Sequence, residues 1–265
     1  MQSERVIHQT IIFRNRLYLV GGLRNGKISA KININESIKL NKNSLNVGFG
    51  FPPMLEKRCC FGMCSFGECF IVAGEANDTN VLKACEIFTP QAGKWLKIAD
   101  MNIKRCYFTL TYFQQKVWAI GGVDTVDSKI VDTIETYNLA EDKWSIIDVK
   151  LLKKRLGHST VAYNDKLFVI GGYNENEGTL SSVEVYSSVT NQFSFVSAMK
   201  IPRLFFGCCL VNSRIYVTGG MSDFEIESSI GEVEIYDVKY DIWMNGPKLP
   251  LAITAHSCTS NVTSE

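Results

Sequence analysis

At 265 residues, with 28 Lys and Arg against 27 Asp and Glu, the chain carries a formal charge of only +1. That balance leaves no electrostatic footprint for nucleic acid or an anionic membrane, and no run approaches the roughly 18 to 20 apolar residues a membrane helix needs. Nine cysteines, odd in number and without a signal-peptide core at MQSERVIHQT, fit a reducing compartment better than a disulfide framework. A cytoplasmic protein is expected, with the sequons at Asn35, Asn77 and Asn261 unused.

Taken in chain order, residues 5–55 form a first unit, with an inner strand near 7–13, a second strand at 16–20 and the polar loop LRNGKISAKIN. A second unit covers 56–102, entered through Pro52-Pro53, a pair that precludes a central strand and marks a crossing between sheets. Units three to five run 103–152, 153–200 and 201–249, and residues 250–262 repeat only the opening strand. Within a unit, two apolar runs are followed by a glycine pair (Gly74-Glu75 in the second unit), a polar loop, an alternating segment and a polar turn. That is a four-stranded meander.

The repeat survives arithmetic. In the fourth unit the landmarks are Arg155, Gly171, Glu184, Tyr186 and Phe193; in the third, Arg105, Gly121, Glu135, Tyr137 and Trp144; in the fifth, Arg203, Gly219, Glu234, Tyr236 and Trp243. The second unit has Arg58, Gly74, Glu86, Phe88 and Trp95, and the first has Arg5, Gly21, Glu36, Ile38 and Leu45. The step from arginine to glycine is 16 residues in all five, and the last step is 7 in all five. Only the loop between them varies, holding 13, 10, 12, 11 and 13 residues.

Apolar runs such as 117–120 and 167–170 lack polar alternation, so both faces of each strand are covered. Glycine pairs directly after them permit positive φ and close backbone approach where one sheet meets the next. Four-stranded units of about 40–50 residues stacked radially describe an all-β propeller forming a single domain. Six opening strands accompany only five sets of the other three. The expectation is five blades, with residues 251–262 pairing onto the first blade and displacing 7–13; the alternative is an incomplete six-bladed ring.

Candidate chemistry is sparse. His8, His158 and His256 all stand three residues after the arginine phase, where other units have Phe61, Phe108 and Phe206, so packing is favoured over a metal ring. Cys60, Cys64 and Cys69 lack zinc spacing. Cys64 and Cys209 lie six after their anchors and Cys208 and Cys258 five after theirs, so they read as small strand residues, with a reactive thiol sensor the lesser alternative. The five arginines and five glutamates recur once per blade, which points to structural Arg–Glu pairing rather than acid–base work. Nucleophile-elbow and phosphate-loop motifs are missing. No catalytic residue, metal or cofactor is expected.

A glycine pair, then Glu-x-Tyr, then Trp seven on, with Pro-Arg or Lys-Arg opening the next unit, resembles the kelch repeat over essentially the whole chain. It is similar to the C-terminal half of kelch-like adaptors, whose BTB domain and helical linker would lie outside this sequence. That resemblance implies a protein-interaction module, the substrate-recognition part of a cullin-3 ubiquitin ligase adaptor, holding a protein partner or peptide segment. Actin binding is the second implication, and a kelch-fold metalloenzyme a distant third.

In such adaptors partners are held just after the glycine pairs and near the starts of inner strands. By position this gives Leu23, Arg24 and Asn25; Asn77; Asp124; Tyr173 and Asn174; and Met221 and Asp223, with Tyr107 and Phe205 from the strand starts. The residues two after each arginine (Ile7, Cys60, Tyr107, Gly157 and Phe205) include no basic one. An apolar and aromatic patch anchored by Tyr107, Tyr173, Phe205 and Met221 is therefore expected.

Overall fold

The computed structural model describes residues 5–6, 9–13, 16–24, 36–41, 44–49, 52–56, 58–76, 81–89, 91–124 and 129–260. Alternation of apolar strands and tight turns produces five four-stranded antiparallel sheets, each with its strands in chain order. The first sheet is Gln9–Phe13, Arg16–Val20, Glu36–Asn41 and Ser44–Phe49, and the second is Gly62–Phe66, Cys69–Ala76, Val81–Thr89 and Lys94–Ile98. The third comprises Thr109–Phe113, Lys116–Ile120, Thr133–Asn138 and Lys143–Lys150. Ser159–Tyr163, Lys166–Ile170, Val183–Ser187 and Gln192–Val196 make the fourth, and Gly207–Val211, Arg214–Thr218, Val233–Asp237 and Ile242–Asn245 the fifth.

The core lies between sheets rather than inside one. Ile71, Ala73 and Cys85 of the second blade pack on Phe108, Leu110, Tyr137 and Trp144 of the third. The third and fourth blades share Trp118, Ile120, Leu167 and Tyr186, and the fourth and fifth share Phe168, Ile170, Ile215 and Tyr236. Sheets that bury both faces in this way wrap around an axis, and a β-propeller follows.

The glycine pairs are the joints. A Cβ on Gly121 would lie 2.9 Å from His158 of the next blade, one on Gly171 2.9 Å from Phe206, and one on Gly219 2.7 Å from His256. Both glycines of the pair take positive φ, 60° and 89° at Gly121 and Gly122. The second donates its N–H to the carbonyl at the arginine position of the following unit: Gly122 to Arg155 at 2.9 Å, Gly172 to Arg203 at 2.7 Å, Gly220 to Ile253 at 2.8 Å. An L side chain would break both the fit and the bond.

Each buried arginine and glutamate pair up within a blade. Arg58 reaches Glu86 at 2.8 Å, Arg105 reaches Glu135 at 3.2 Å and Arg203 reaches Glu234 at 3.0 Å, while Arg155 bonds Glu184 more tightly still. The carboxylate also accepts two backbone N–H groups from the crossing into its blade, as Glu184 does from Leu152 at 2.7 Å and Lys153 at 3.0 Å. Arg155 in turn donates to the carbonyls of Gly171 at 2.7 Å and Ser182 at 3.2 Å. Burial pulls the Arg105 and Arg155 guanidiniums below their ordinary pKa, and the carboxylate beside each opposes that shift. A charge this deep is tolerated because every polar atom facing it is matched.

The terminal segment corrects one expectation. Residues 251–260 take no strand pairing, and Gln9–Phe13 keeps the inner position of the first blade. The segment occupies its own place between the last blade and the first. Its Ala255 N–H donates to Phe205 O at 2.8 Å and its Ser260 hydroxyl to Leu210 O at 2.7 Å, while Ser257 Oγ accepts the Thr10 N–H at 3.0 Å. Five blades are thus followed by a lone sixth spoke.

Candidate partner-binding face

The site begins at a backbone collar. Among the described residues, the chain adopts left-handed φ two residues after the arginine position, 58° at Cys60, 54° at Tyr107, 61° at Gly157 and 52° at both Phe205 and Ala255. There the N–H groups of the later blades donate to the carbonyl of the same position in the preceding blade: Tyr107 to Cys60 at 3.1 Å, Gly157 to Tyr107 at 2.9 Å and Phe205 to Gly157 at 2.9 Å. Ala255 continues the series, so the sixth spoke completes this arc. Non-glycine residues held left-handed cost about 1–2 kcal/mol each, a strain the repeated hydrogen bonds offset.

The collar rims a central channel of about 250 Å³ lined by inner-strand residues, among them Thr109, Thr160, His158, His256, Cys208 and Cys258. His158 is buried and shares a hydrogen bond with Thr109 Oγ1 through Nε2 at 3.1 Å. Burial drives its pKa down to about 3, with Arg155 adding to the effect, so the imidazole is neutral. Together with its packing on Gly121, this places it where phenylalanine stands in other blades. Among the described residues no group of three or more His, Cys, Asp or Glu is placed to hold a metal.

Outside the collar, the first loop residues pair back onto the start of their own unit. Val123–Asp124 pairs with Arg105–Cys106, Tyr173 bridges Leu156, Met221 bridges Leu204, and Leu23–Arg24 pairs with Arg5–Val6. The post-glycine loops and the strand starts therefore share one face. The side chains of Leu23 and Arg24, and Asn25 and Asn77 entirely, lie outside the described residues.

Four aromatic rings on that face form one continuous patch. Tyr107 and Phe205 approach to 5.2 Å between centroids across Gly157, whose missing Cβ would otherwise sit 2.8 Å from the Phe205 ring. Phe205 lies 6.2 Å from Phe224, and Phe224 packs edge-on to Tyr173 at 4.8 Å. Tyr107, Tyr173 and Phe205 are half-buried while Phe224 remains 53% exposed. Burial and the adjacent Cys60 push the Tyr107 phenol up, so it is a neutral donor at any working pH.

Other expected residues serve the loops. Asn174 is buried, donating to Lys154 O at 2.8 Å and accepting from Asn176 N–H at 2.9 Å. Met221 is only 7% exposed and faces inward under its bridge. Asp124 is half-buried in the small sheet. Asp223 is exposed and accepts the Glu225 N–H at 2.8 Å, and Ser228 ties the turn through Glu225 O at 2.6 Å. This self-braced turn holds Phe224 at its tip.

Phe224 was not among the sequence candidates. It has no repeat phase, and its only signal was an aromatic residue inside the otherwise acidic stretch Ser222-Asp-Phe-Glu-Ile-Glu227. Sequence phase also missed Cys209 and Cys258, whose sulfurs lie 2.9 Å apart.

Known proteins match this architecture. Kelch-like protein 38 of Rattus norvegicus is 25% identical over 256 residues, covering 94% of this chain and 42% of that protein. Kelch-like protein 41a of Danio rerio is 28% identical over 155 residues, covering 58% of this chain and 25% of that protein. Kelch repeat and BTB domain-containing protein 1 of Camelpox virus (strain CMS) is 26% identical over 205 residues, 75% of this chain and 35% of that protein. The chain thus spans between 25% and 42% of the length of these relatives.

The solved structure of YjhT superposes with a TM-score of 0.79 at 10% identity, over 96% of this chain and 87% of that one, which shows the fold alone. The KLHDC2/KLHL20/DRC7 Kelch-repeats domain family matches residues 107–261, more than half the sequence, and the chain belongs to that kelch-repeat family.

Proposed function

We propose that the chain is a recognition module that holds a segment of a protein partner on the collar face, with Phe224, Phe205, Tyr173 and Tyr107 as its anchors. The observation that carries this reading is the four-ring patch, continuous from the channel mouth to the exposed Phe224. Rigid aromatic side chains give large contact area at low entropic cost and dominate interface energies. The scaffold beneath supplies preorganisation, because the collar and the glycine joints fix the strand starts on which the loops are mounted.

The surrounding charge narrows the partner. Glu175, Glu177, Asp223, Glu225 and Glu227 are exposed on the loops of the fourth and fifth blades, and of these Glu177 is paired with Lys153. A neutral or basic segment is accepted here and an acidic one repelled. We further propose, from the resemblance to kelch-like adaptors and from a relative whose name includes a BTB domain, that the module is the substrate-recognition part of a cullin-3 ubiquitin ligase adaptor.

A pull-down comparing wild type with Phe224→Ala, Phe205→Ala and Tyr173→Ala tests the reading. Proteins captured by wild type and lost with the alanine variants support it. Capture unchanged by all three variants places the binding face elsewhere.

A further inference from the structure

A thiol pair stands where the terminal segment lies between the fifth blade and the first. Residues 251–260 hold the last blade and the first through isolated hydrogen bonds instead of a strand ladder. Cys209 belongs to the inner strand Gly207–Val211 of the fifth blade and Cys258 to the terminal segment, and their sulfurs are 2.9 Å apart. That is closer than two sulfur atoms in ordinary van der Waals contact. Both side chains are half-buried, and Cys258 lines the channel, which gives a small oxidant a route to it.

We propose that Cys209 and Cys258 form a reversible disulfide that fastens the terminal segment to the fifth blade, with a small-molecule disulfide such as glutathione disulfide as the oxidant. Cys258 is the attacking group, because the Cys209 thiol beside it holds its pKa below the usual thiol value. Its thiolate attacks one sulfur of the oxidant, whose S–S bond breaks and releases one glutathione thiolate. Cys209 then gives up its proton to solvent, and its sulfur displaces the second glutathione. The protein loses two hydrogens and the oxidant gains them.

The chemistry selects this pair over the other cysteines. Burial raises the Cys64 and Cys85 thiols to about 12, so neither offers a nucleophile. Cys59, Cys60 and Cys106 cluster at the collar, where the hydrogen bond with the Cys59 thiol and then burial push Cys60 up. The consequence is mechanical. Phe205 O accepts the Ala255 N–H, so pinning Cys258 also pins the last member of the collar.

The experiment incubates the chain in a glutathione and glutathione disulfide buffer and follows intact mass, the non-reducing peptide map and thermal unfolding. The expected result is a loss of about 2 Da, one cross-linked peptide joining Cys209 to Cys258, and seven thiols still reactive to maleimide after unfolding from the nine present. For a separation of 49 residues the cross-link raises Tm by about 10 °C. Dithiothreitol reverses the rise, and Cys258→Ser or Cys209→Ser abolishes it. Nine reactive thiols after oxidation, glutathione left on the protein as a mixed disulfide, or a bond between other cysteines overturns the proposal.

Discussion

Replacing Glu184 by glutamine is the sharpest test of what holds a blade together. The substitution keeps size and removes only charge and one acceptor, in a site where Arg155 is fully buried and the carboxylate also accepts the N–H groups of Leu152 at 2.7 Å and Lys153 at 3.0 Å. Leaving a buried guanidinium without its counter-charge costs about 3–5 kcal/mol, and turning one oxygen into an NH2 that faces a backbone donor adds about 1–3 kcal/mol. Part of the two is shared, so we expect Glu184→Gln to cost about 4–6 kcal/mol, a drop in Tm of about 10–20 °C for a chain of this size. That is a large fraction of the stability of an ordinary domain.

The assay is calorimetry with urea titration, run also on Arg155→Met and on the double variant Arg155→Met/Glu184→Gln. Because each single change strands one charge and the double strands none, the double should cost less than the summed singles, with a coupling of about 2–3 kcal/mol. A shift under about 2 °C for Glu184→Gln, or strict additivity, would refute the claim that the pair acts as a unit.

Other predictions follow from the same geometry. His158 titrates near 3 when folded against an ordinary 6.5. The unfolded chain therefore binds more protons between those values, and stability falls as pH drops through that window. Between pH 7 and pH 5 the loss is about 2 kcal/mol, and His158→Phe, the residue type of other blades at this phase, should flatten that slope in urea titrations at the two pH values. Gly121→Ala should cost about 2–4 kcal/mol, since its Cβ would meet Arg155 O at 2.8 Å at a φ of 60° and both left-handed strain and overpacking apply. Gly93→Ala, with φ 62° and nothing within 4 Å, should cost only about 1 kcal/mol, and equal melting shifts for the two would contradict the joint. Phe224→Ala should leave Tm within about 2 °C while weakening partner capture at least about tenfold, an anchor's worth of 1.4 kcal/mol or more.

Much of the fold was legible because the same constraint acts five times. Gly21, Gly74, Gly121, Gly171 and Gly219 recur because each meets a ring and a carbonyl of the next unit, and Arg105, Arg155 and Arg203 recur because each bonds the carbonyl 16 residues on. The aromatic patch was partly legible for the same reason: Tyr107, Phe205 and Tyr173 sit at fixed phases. What period could not reveal is what is unique. Phe224 lies in a loop that no other unit resembles, and Cys209 and Cys258 fall at different phases, so no alignment of units brings them together. Asn174 and Met221 were drawn into the site by position, yet local loop hydrogen bonding buries the one and a backbone bridge turns in the other. The end of the chain misled for a related reason: a copy of the opening strand suggests strand pairing, but Thr10 and Leu210 are met through Ser257 and Ser260 side chains.

Binding is proposed on the collar face of the third to fifth blades, where Tyr107, Tyr173, Phe205 and Phe224 stand. Hydrogen–deuterium exchange of the chain with and without the partner recovered by pull-down measures this directly. We predict new protection at residues 173–179 and 222–228 and none at the opposite-face turns 114–115, 164–165 and 212–213; protection concentrated on those turns would contradict the account.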